Sequence, residues 1–184
     1  MFGKGGWRMK MIKRMAIALG LMALMVVGCG GGKSKPPVIP EGGSAGEVMI
    51  SGTYLPLNGA SQLSFSSLFN KPLVIFLAGQ FCISCGEETD EVKSYVRNKV
   101  PVNVNLLTLL VAAVNEDGRD WQTEKKVPWG VGTLADDLMI RKYCPAIQTP
   151  CTLVVDKAGR IIFSENGKVL PSRLEDVTGV KWEY

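Results

Sequence analysis

One segment constrains the fold of this chain more than any other. The apolar run Pro72–Gly79, PLVIFLAG, is followed at once by QFCISCGEE, residues 80–88. An unbroken apolar run of this length is too short to cross a membrane and fits a β-strand buried on both faces of a sheet. Beyond the cysteines, Val92, Tyr95 and Val96 recur at helical spacing, so a helix is expected directly after the strand. A strand, a short loop and a helix in that order put Cys82 at the helix N-terminus and Cys85 one turn further on. Unpaired backbone N–H groups and the helix dipole stabilise a thiolate at such a position. The thiolate is the form that attacks a disulfide, so Cys82 is the candidate nucleophile and Cys85 the thiol that resolves the mixed disulfide.

The rest of the chain supplies the elements around that unit. VMISGTYLPLNG and SQLSF read as two short strands about an Asn58-Gly59 turn, and Ser66–Phe69 as one helical turn. Val102–Asn115 reads as a second buried strand. EDGRDWQTEKKVPWGVG, residues 116–132, is polar and predicts irregular structure, and Thr133–Tyr143 predicts a helix carrying Leu134, Leu138 and Ile140. CTLVVD and RIIFSENG predict two strands joined through Lys157-Ala158-Gly159. SRLEDVTG predicts a closing helix with Ser172 and Glu175 as a capping box. Strand–helix alternation with a late hairpin points to an α/β sheet of mixed strand direction.

Composition removes several chemistries. The 184 residues include no histidine, which excludes His-ligated metal sites, Cys–His nucleophiles, Ser–His triads and haem attachment through C-x-x-C-H. Five of the 21 Lys and Arg residues precede residue 30 and no acid does, which leaves 16 basic against 17 acidic residues in the remainder. The formal charge of +4 belongs to the N-terminus, and no nucleic-acid partner is expected. No cofactor is expected either.

That N-terminus reads as an address. A basic stretch, MFGKGGWRMKMIKRM, precedes the apolar Ala16–Gly28, which has the length of a signal-peptide core; Met9 and Met11 are alternative starts. Val26-Val27-Gly28-Cys29 resembles the lipobox of bacterial lipoproteins, and the resemblance implies cleavage before Cys29 and acylation of its thiol. Residues 1–28 are then the signal peptide, and residues 29–47, rich in Gly, Pro and Ser, a lipidated cysteine and flexible tether. Residues 48–184 form the folded domain. A lipid-anchored protein on the periplasmic face of the cell envelope is expected, with the outer membrane favoured in a double-membraned bacterium because Gly30, not Asp, follows Cys29.

A C-x-x-C beside a βαβ pattern is a redox signature, and here the chain resembles the thioredoxin-fold thiol-disulfide oxidoreductases, in particular the extracytoplasmic TlpA/ResA-like branch. LSFSSLFNKPLVIFLAGQFCISC resembles that branch's order of strand, short turn, Gly-Lys-Pro, strand and W-C-x-x-C, with Asn70 in place of Gly and Phe81 in place of Trp. Glu88 falls on the Glu of the branch's C-x-x-C-x-x-E pattern. Thr149-Pro150 and CTLVVDKAGRI are similar to its proline-led strand and D-x-x-G-x-I hairpin. The resemblance implies a thioredoxin-like α/β fold: a central mixed β-sheet flanked by helices, with an N-terminal β-hairpin and a strand–helix insertion. It also implies a cis Pro150 facing the cysteines, a client-binding surface at Phe81, Thr149 and Pro150, and a catalytic role for Glu88. Phe76 replaces the polar residue that relatives carry on the strand before the motif, and Asp90 stands where they have Pro.

Two functions stay open at this point: a membrane-anchored oxidoreductase that exchanges dithiols with protein clients, or a non-catalytic lipoprotein module whose Cys82–Cys85 disulfide is structural. A four-cysteine metal site using Cys144 and Cys151 has only one half with zinc-finger spacing. A peroxidase would need Thr or Ser and Pro before its cysteine, which LAGQFC lacks. Cys144 and Cys151 read as a structural disulfide, as two buried thiols, or as an auxiliary redox pair. Trp121 and Trp129 read as packing or loop-anchoring residues, with a substrate platform as the alternative. Neutral Ile83 and Ser84 between the cysteines, with Glu87, Glu88, Asp90 and Glu91 on the same helix, predict a reducing couple. Such a couple would draw its electrons from a membrane donor.

Overall fold

The structure, a computed structural model, describes residues 49–57 and 61–184. Seven strands form one mixed sheet: β1 (Thr53–Pro56), β2 (Leu63–Ser64), β3 (Leu73–Ala78), β4 (Asn105–Val111), β5 (Gly130–Leu134), β6 (Cys151–Val155) and β7 (Ile161–Asn166). Their order is β2-β1-β5-β4-β3-β6-β7. Strands β3, β4 and β5 run parallel, while β6, β7, β1 and β2 join antiparallel to their neighbours. Every residue of β3 is buried, because β4 and β6 pair with its edges and core clusters cover both its faces.

Four helices pack on this sheet: α1 (Ile83–Tyr95), α2 (Asn115–Lys125), α3 (Leu138–Tyr143) and α4 (Pro171–Thr178). Strand alternation separates two cores. Val74, Phe76 and Ala78 face Cys85 and Val92 of α1, Val96 at its C-cap, Trp121 of α2 and Leu174 of α4. Leu73, Ile75 and Leu77 face Phe65 of a short 3-10 turn (Phe65–Leu68) and Met139, Ile140 and Tyr143 of α3. Both Trp121 and Trp129 are buried, and Trp129 donates its indole N–H to Thr108 at 3.0 Å, so they pack the first of these cores.

Several expectations need correction. The polar segment 116–132 holds α2 and the start of β5 instead of irregular structure. Only Gly118 and Trp121 of α2 are buried, too few to produce an apolar periodicity. Its N-terminus is secured by Asp117, whose carboxylate accepts the Val114 N–H at 3.2 Å. The predicted helix 133–143 is shorter: Thr133 and Leu134 complete β5, and Leu138 is exposed at the head of α3. The capping box of α4 does not form, because the helix starts earlier, with Leu170 as N-cap and Pro171 at N1. Glu175 instead accepts the Trp182 N–H at 2.7 Å and pairs with Lys181 at 2.8 Å, which ties down the C-terminal segment. The strands of the first hairpin pair as expected, and its Asn58-Gly59 turn lies outside the described residues.

Strand β5 carries two glycines, and one of them is required by a close approach. A β-carbon on Gly132 would lie 2.5 Å from Tyr54 Cδ2 and 2.9 Å from the Leu55 carbonyl oxygen, on the strand paired to it. Gly132→Ala is therefore expected to destabilise the fold by about 1–3 kcal/mol through overpacking. Urea denaturation checks this, and an unchanged midpoint would contradict it.

Candidate active site

Strand β3 ends at Ala78, and the chain turns through Gly79 and Gln80 into α1, whose N-cap is Cys82. Cys82 and Cys85 are joined by a disulfide. The Cys82 sulfur accepts the Cys85 N–H at 3.2 Å, so it occupies the capping position where a helix leaves its N–H groups unpaired. Cys82 is partly exposed and Cys85 is buried. Phe81 and Ile83 flank Cys82 and project into solvent, 90% and 81% exposed, a costly arrangement for apolar side chains without a partner.

Glu88 stands one turn beyond Cys85, on the same helix face. It is only 3% exposed. Its Oε1 accepts the Thr152 hydroxyl at 3.0 Å and the Val169 N–H at 2.9 Å, which joins α1 to β6 and to the segment leading into α4. Burial pushes its carboxyl up to about 7; the two hydrogen bonds and Lys168 oppose that shift, and Glu91 adds to it. Glu88 is therefore a buried carboxyl and not a solvated acid of the helix surface. Phe76, on the neighbouring strand, packs against Trp129, so the buried carboxylate of this site comes from the helix.

Thr149 and Pro150 precede β6, joined by a cis peptide bond, and Pro150 is buried. A β-carbon on Gly79 would lie 3.3 Å from Thr149 Oγ1 and 3.6 Å from Cys82 Cβ. Thr149 and Cys82 therefore border the same gap. Phe81, Cys82, Cys85, Glu88, Thr149 and Pro150 thus gather at one end of β3. Cys144 and Cys151 form a second disulfide, buried in the core on the opposite face of the sheet from Cys85. Among the described residues no group of three or more Cys, Asp or Glu side chains is placed to hold a metal ion, and the two cysteine pairs do not converge. Cys29, the signal segment and the tether lie outside the described residues.

One residue of the site escaped sequence reasoning. Lys125, the last residue of α2, lines a cleft of about 350 Å³ together with Cys82, Phe81, Glu87 and Trp121. Its Nζ would lie 2.9 Å from a β-carbon on Gly86, so the ammonium lies over the first turn of α1. A positive charge from another helix thus stands beside a motif whose intervening residues, Ile83 and Ser84, are neutral. Glu124 pairs with Lys125 at 3.3 Å and moderates its field. The separation of 39 positions between Gly86 and Lys125 hid the contact; an unrecognised helix carries it.

No family model matches the chain, and no curated protein matches it. Solved structures do. The thioredoxin domain of a thiol-disulfide oxidoreductase from Bacteroides vulgatus superposes with a TM-score of 0.59 at 23% identity, over 73% of this chain and 98% of that one. A secreted thiol-disulfide isomerase from Corynebacterium glutamicum superposes at 0.62 with 17% identity, over 79% and 95%. A secreted disulfide oxidoreductase from Mycobacterium tuberculosis superposes at 0.55 with 18% identity, over 70% and 94%. The chain has a thioredoxin-like fold. The mixed central sheet, the flanking helices and the N-terminal hairpin are those expected for it, and α2 with β5 forms the strand–helix insertion.

Two predictions follow from the site's charges. A carboxyl whose folded pKa lies above its unfolded value holds its proton more tightly when folded. Its contribution is most favourable below the ordinary value of 4.5, declines as pH rises towards about 7, and is flat above that. Glu88→Gln keeps the Oε1 acceptor and cannot ionise, so between pH 4 and pH 8 its stability should improve relative to wild type by roughly 2–3 kcal/mol. Denaturation at both pH values measures this, and a pH-independent difference would refute it. In the reduced protein, Lys125→Gln should raise the Cys82 pKa and Lys125→Arg should leave it near wild type. Thiolate absorbance against pH reads both, and an unchanged titration in Lys125→Gln would remove Lys125 from the site.

Proposed function

We propose that this protein is an extracytoplasmic thiol-disulfide oxidoreductase that reduces disulfides of protein clients through Cys82 and Cys85. One observation carries the reading. A partly exposed cysteine caps a helix, a buried cysteine stands one turn behind it, and a buried carboxyl follows one turn later. A merely structural staple requires none of this asymmetry. Solved structures with the same fold bear the names of thiol-disulfide oxidoreductases and isomerases, two of them secreted, which supports both the chemistry and its place outside the cytoplasm.

In the reduced protein the helix N-terminus and Lys125 favour the Cys82 thiolate. It attacks one sulfur of a client disulfide. A Cys82–client bond forms, the client bond breaks, and the departing client thiolate takes a proton. The Cys85 thiol then gives its proton to the Glu88 carboxylate and attacks the Cys82 sulfur. The Cys82–Cys85 bond closes, the second client thiolate leaves, and two electrons have passed to the client. A carboxyl poised near 7 is suited to that proton transfer at neutral pH. The protein must then be reduced again, and a membrane reductant reached from an anchor at Cys29 would serve. Glu87, Glu88, Asp90 and Glu91 on α1 oppose the thiolate, and Lys125 with its partner Glu124 only partly offsets them, so the couple is read as a reductant.

Trapping tests the order of attack. Cys85→Ser should accumulate mixed disulfides with envelope proteins and Cys82→Ser should accumulate few, read on non-reducing gels; the reverse pattern would contradict the assignment. Insulin reduction should vanish in Cys82→Ser. In Glu88→Gln, turnover should fall about 10–100-fold at pH 7 and lose its rise between pH 6 and 8.

A further inference from the structure

The second disulfide closes a loop that borders the first. Cys144 caps the C-terminal end of α3 and Cys151 opens β6, so their bridge joins the two ends of the segment 145–150. That segment contains Thr149 and Pro150, beside Cys82. Pairing of Cys151 with Leu77 sets the end of the loop next to the end of β3, where the chain turns into the active helix.

The loop is held internally as well. Asn166, at the end of β7, accepts the Ala146 N–H with Oδ1 at 2.6 Å and donates Nδ2 to the Gln148 carbonyl at 2.6 Å. The neighbouring Gly167 N–H donates to the Pro150 carbonyl at 2.8 Å. One amide side chain therefore fixes the two backbone groups at the middle of the loop, while the disulfide fixes its ends. Residues 145–148 are nevertheless exposed, and Ile147 among them is an apolar side chain facing solvent. An exposed loop so constrained, next to a reactive cysteine, has the character of a preorganised docking edge. Ordering it beforehand lowers what a client must spend to bind.

We propose that Asn166 and the Cys144–Cys151 disulfide are positioning groups: they hold the 145–150 loop in shape to dock the extended client polypeptide whose disulfide Cys82 attacks. The proposal rests on the exchange chemistry assigned to Cys82 and Cys85. The bridge takes no part in that exchange. Both its sulfurs are buried on the far face of the sheet, whereas Thr152, the next residue of β6, points to Glu88 on the near face. Its effect reaches the client only through the loop. This pair is thus assigned as a staple and not as an electron relay.

The full-length protein, with insulin as polypeptide substrate and dithiobis(nitrobenzoate) as a small disulfide needing no docking edge, tests this. In Asn166→Ala the KM for insulin should rise about threefold or more while kcat and the rate with the small disulfide stay within about twofold. The double variant Cys144→Ala/Cys151→Ala should behave alike; should it fail to fold, the Asn166 variant alone decides, since that side chain is only partly buried. An unchanged insulin KM in Asn166→Ala, with an active wild type, overturns the positioning role alone. An equal loss with both substrates places the effect in the chemistry and overturns it too. A wild type that reduces neither substrate removes the exchange reading, and this inference with it.

Discussion

Strand β3 is the constraint on which the rest depends. It is hydrogen-bonded to β4 and β6 and buried on both faces, so its direction and register are fixed. Its last residue sits four positions before Cys82. The position and orientation of α1 follow from that anchor, and with them the cap site of Cys82 and the buried face that carries Cys85 and Glu88. The pairing of β6 with β3 brings Thr152 against Phe76 and delivers both the hydroxyl that meets Glu88 and the Thr149–Pro150 edge. A single strand thus sets both Cys82, the proposed nucleophile, and its surroundings.

Burial is the basis of the division of labour proposed for the two cysteines and the carboxyl. Cys82 has access to a partner in solution. Cys85 does not, and its proton has to leave through protein. In the proposed mechanism Glu88 is the acceptor, one turn away, held by two hydrogen bonds, with a carboxyl that burial pushes up to about 7. The same burial makes Glu88 a stability liability at high pH. A carboxyl kept there at a cost to folding is more readily understood as part of a proton path than as a structural link.

The fold was largely legible where local patterns and long-range packing agree. PLVIFLAG could only be an interior strand, and the cysteines after it could only start a helix. The late hairpin was equally clear from CTLVVD and RIIFSENG. Legibility failed in 116–132, where α2 buries only Gly118 and Trp121 and β5 is two-fifths glycine. Neither has the apolar periodicity that pattern reading requires. The site divided in the same way. Cys82, Cys85 and Glu88 lie within one helical stretch and were found together, whereas Lys125 and Asn166 reach the site by tertiary contacts and carry no sequence signal. The Cys144–Cys151 pairing was one of several open readings until the strand placed Cys151 beside α3.

The central claim is that Cys82–Cys85 turns over as a reducing couple while Cys144–Cys151 does not. Equilibration in glutathione buffers, with each cysteine's state read by alkylation and mass spectrometry, measures this most directly. The account predicts reversible interconversion of Cys82–Cys85 at a potential nearer that of thioredoxin, about −270 mV, than that of the oxidant DsbA, about −120 mV, with Cys144–Cys151 oxidised throughout. A potential above about −150 mV would make the protein a disulfide donor, and a Cys82–Cys85 bond that never opens in these buffers would make it a staple.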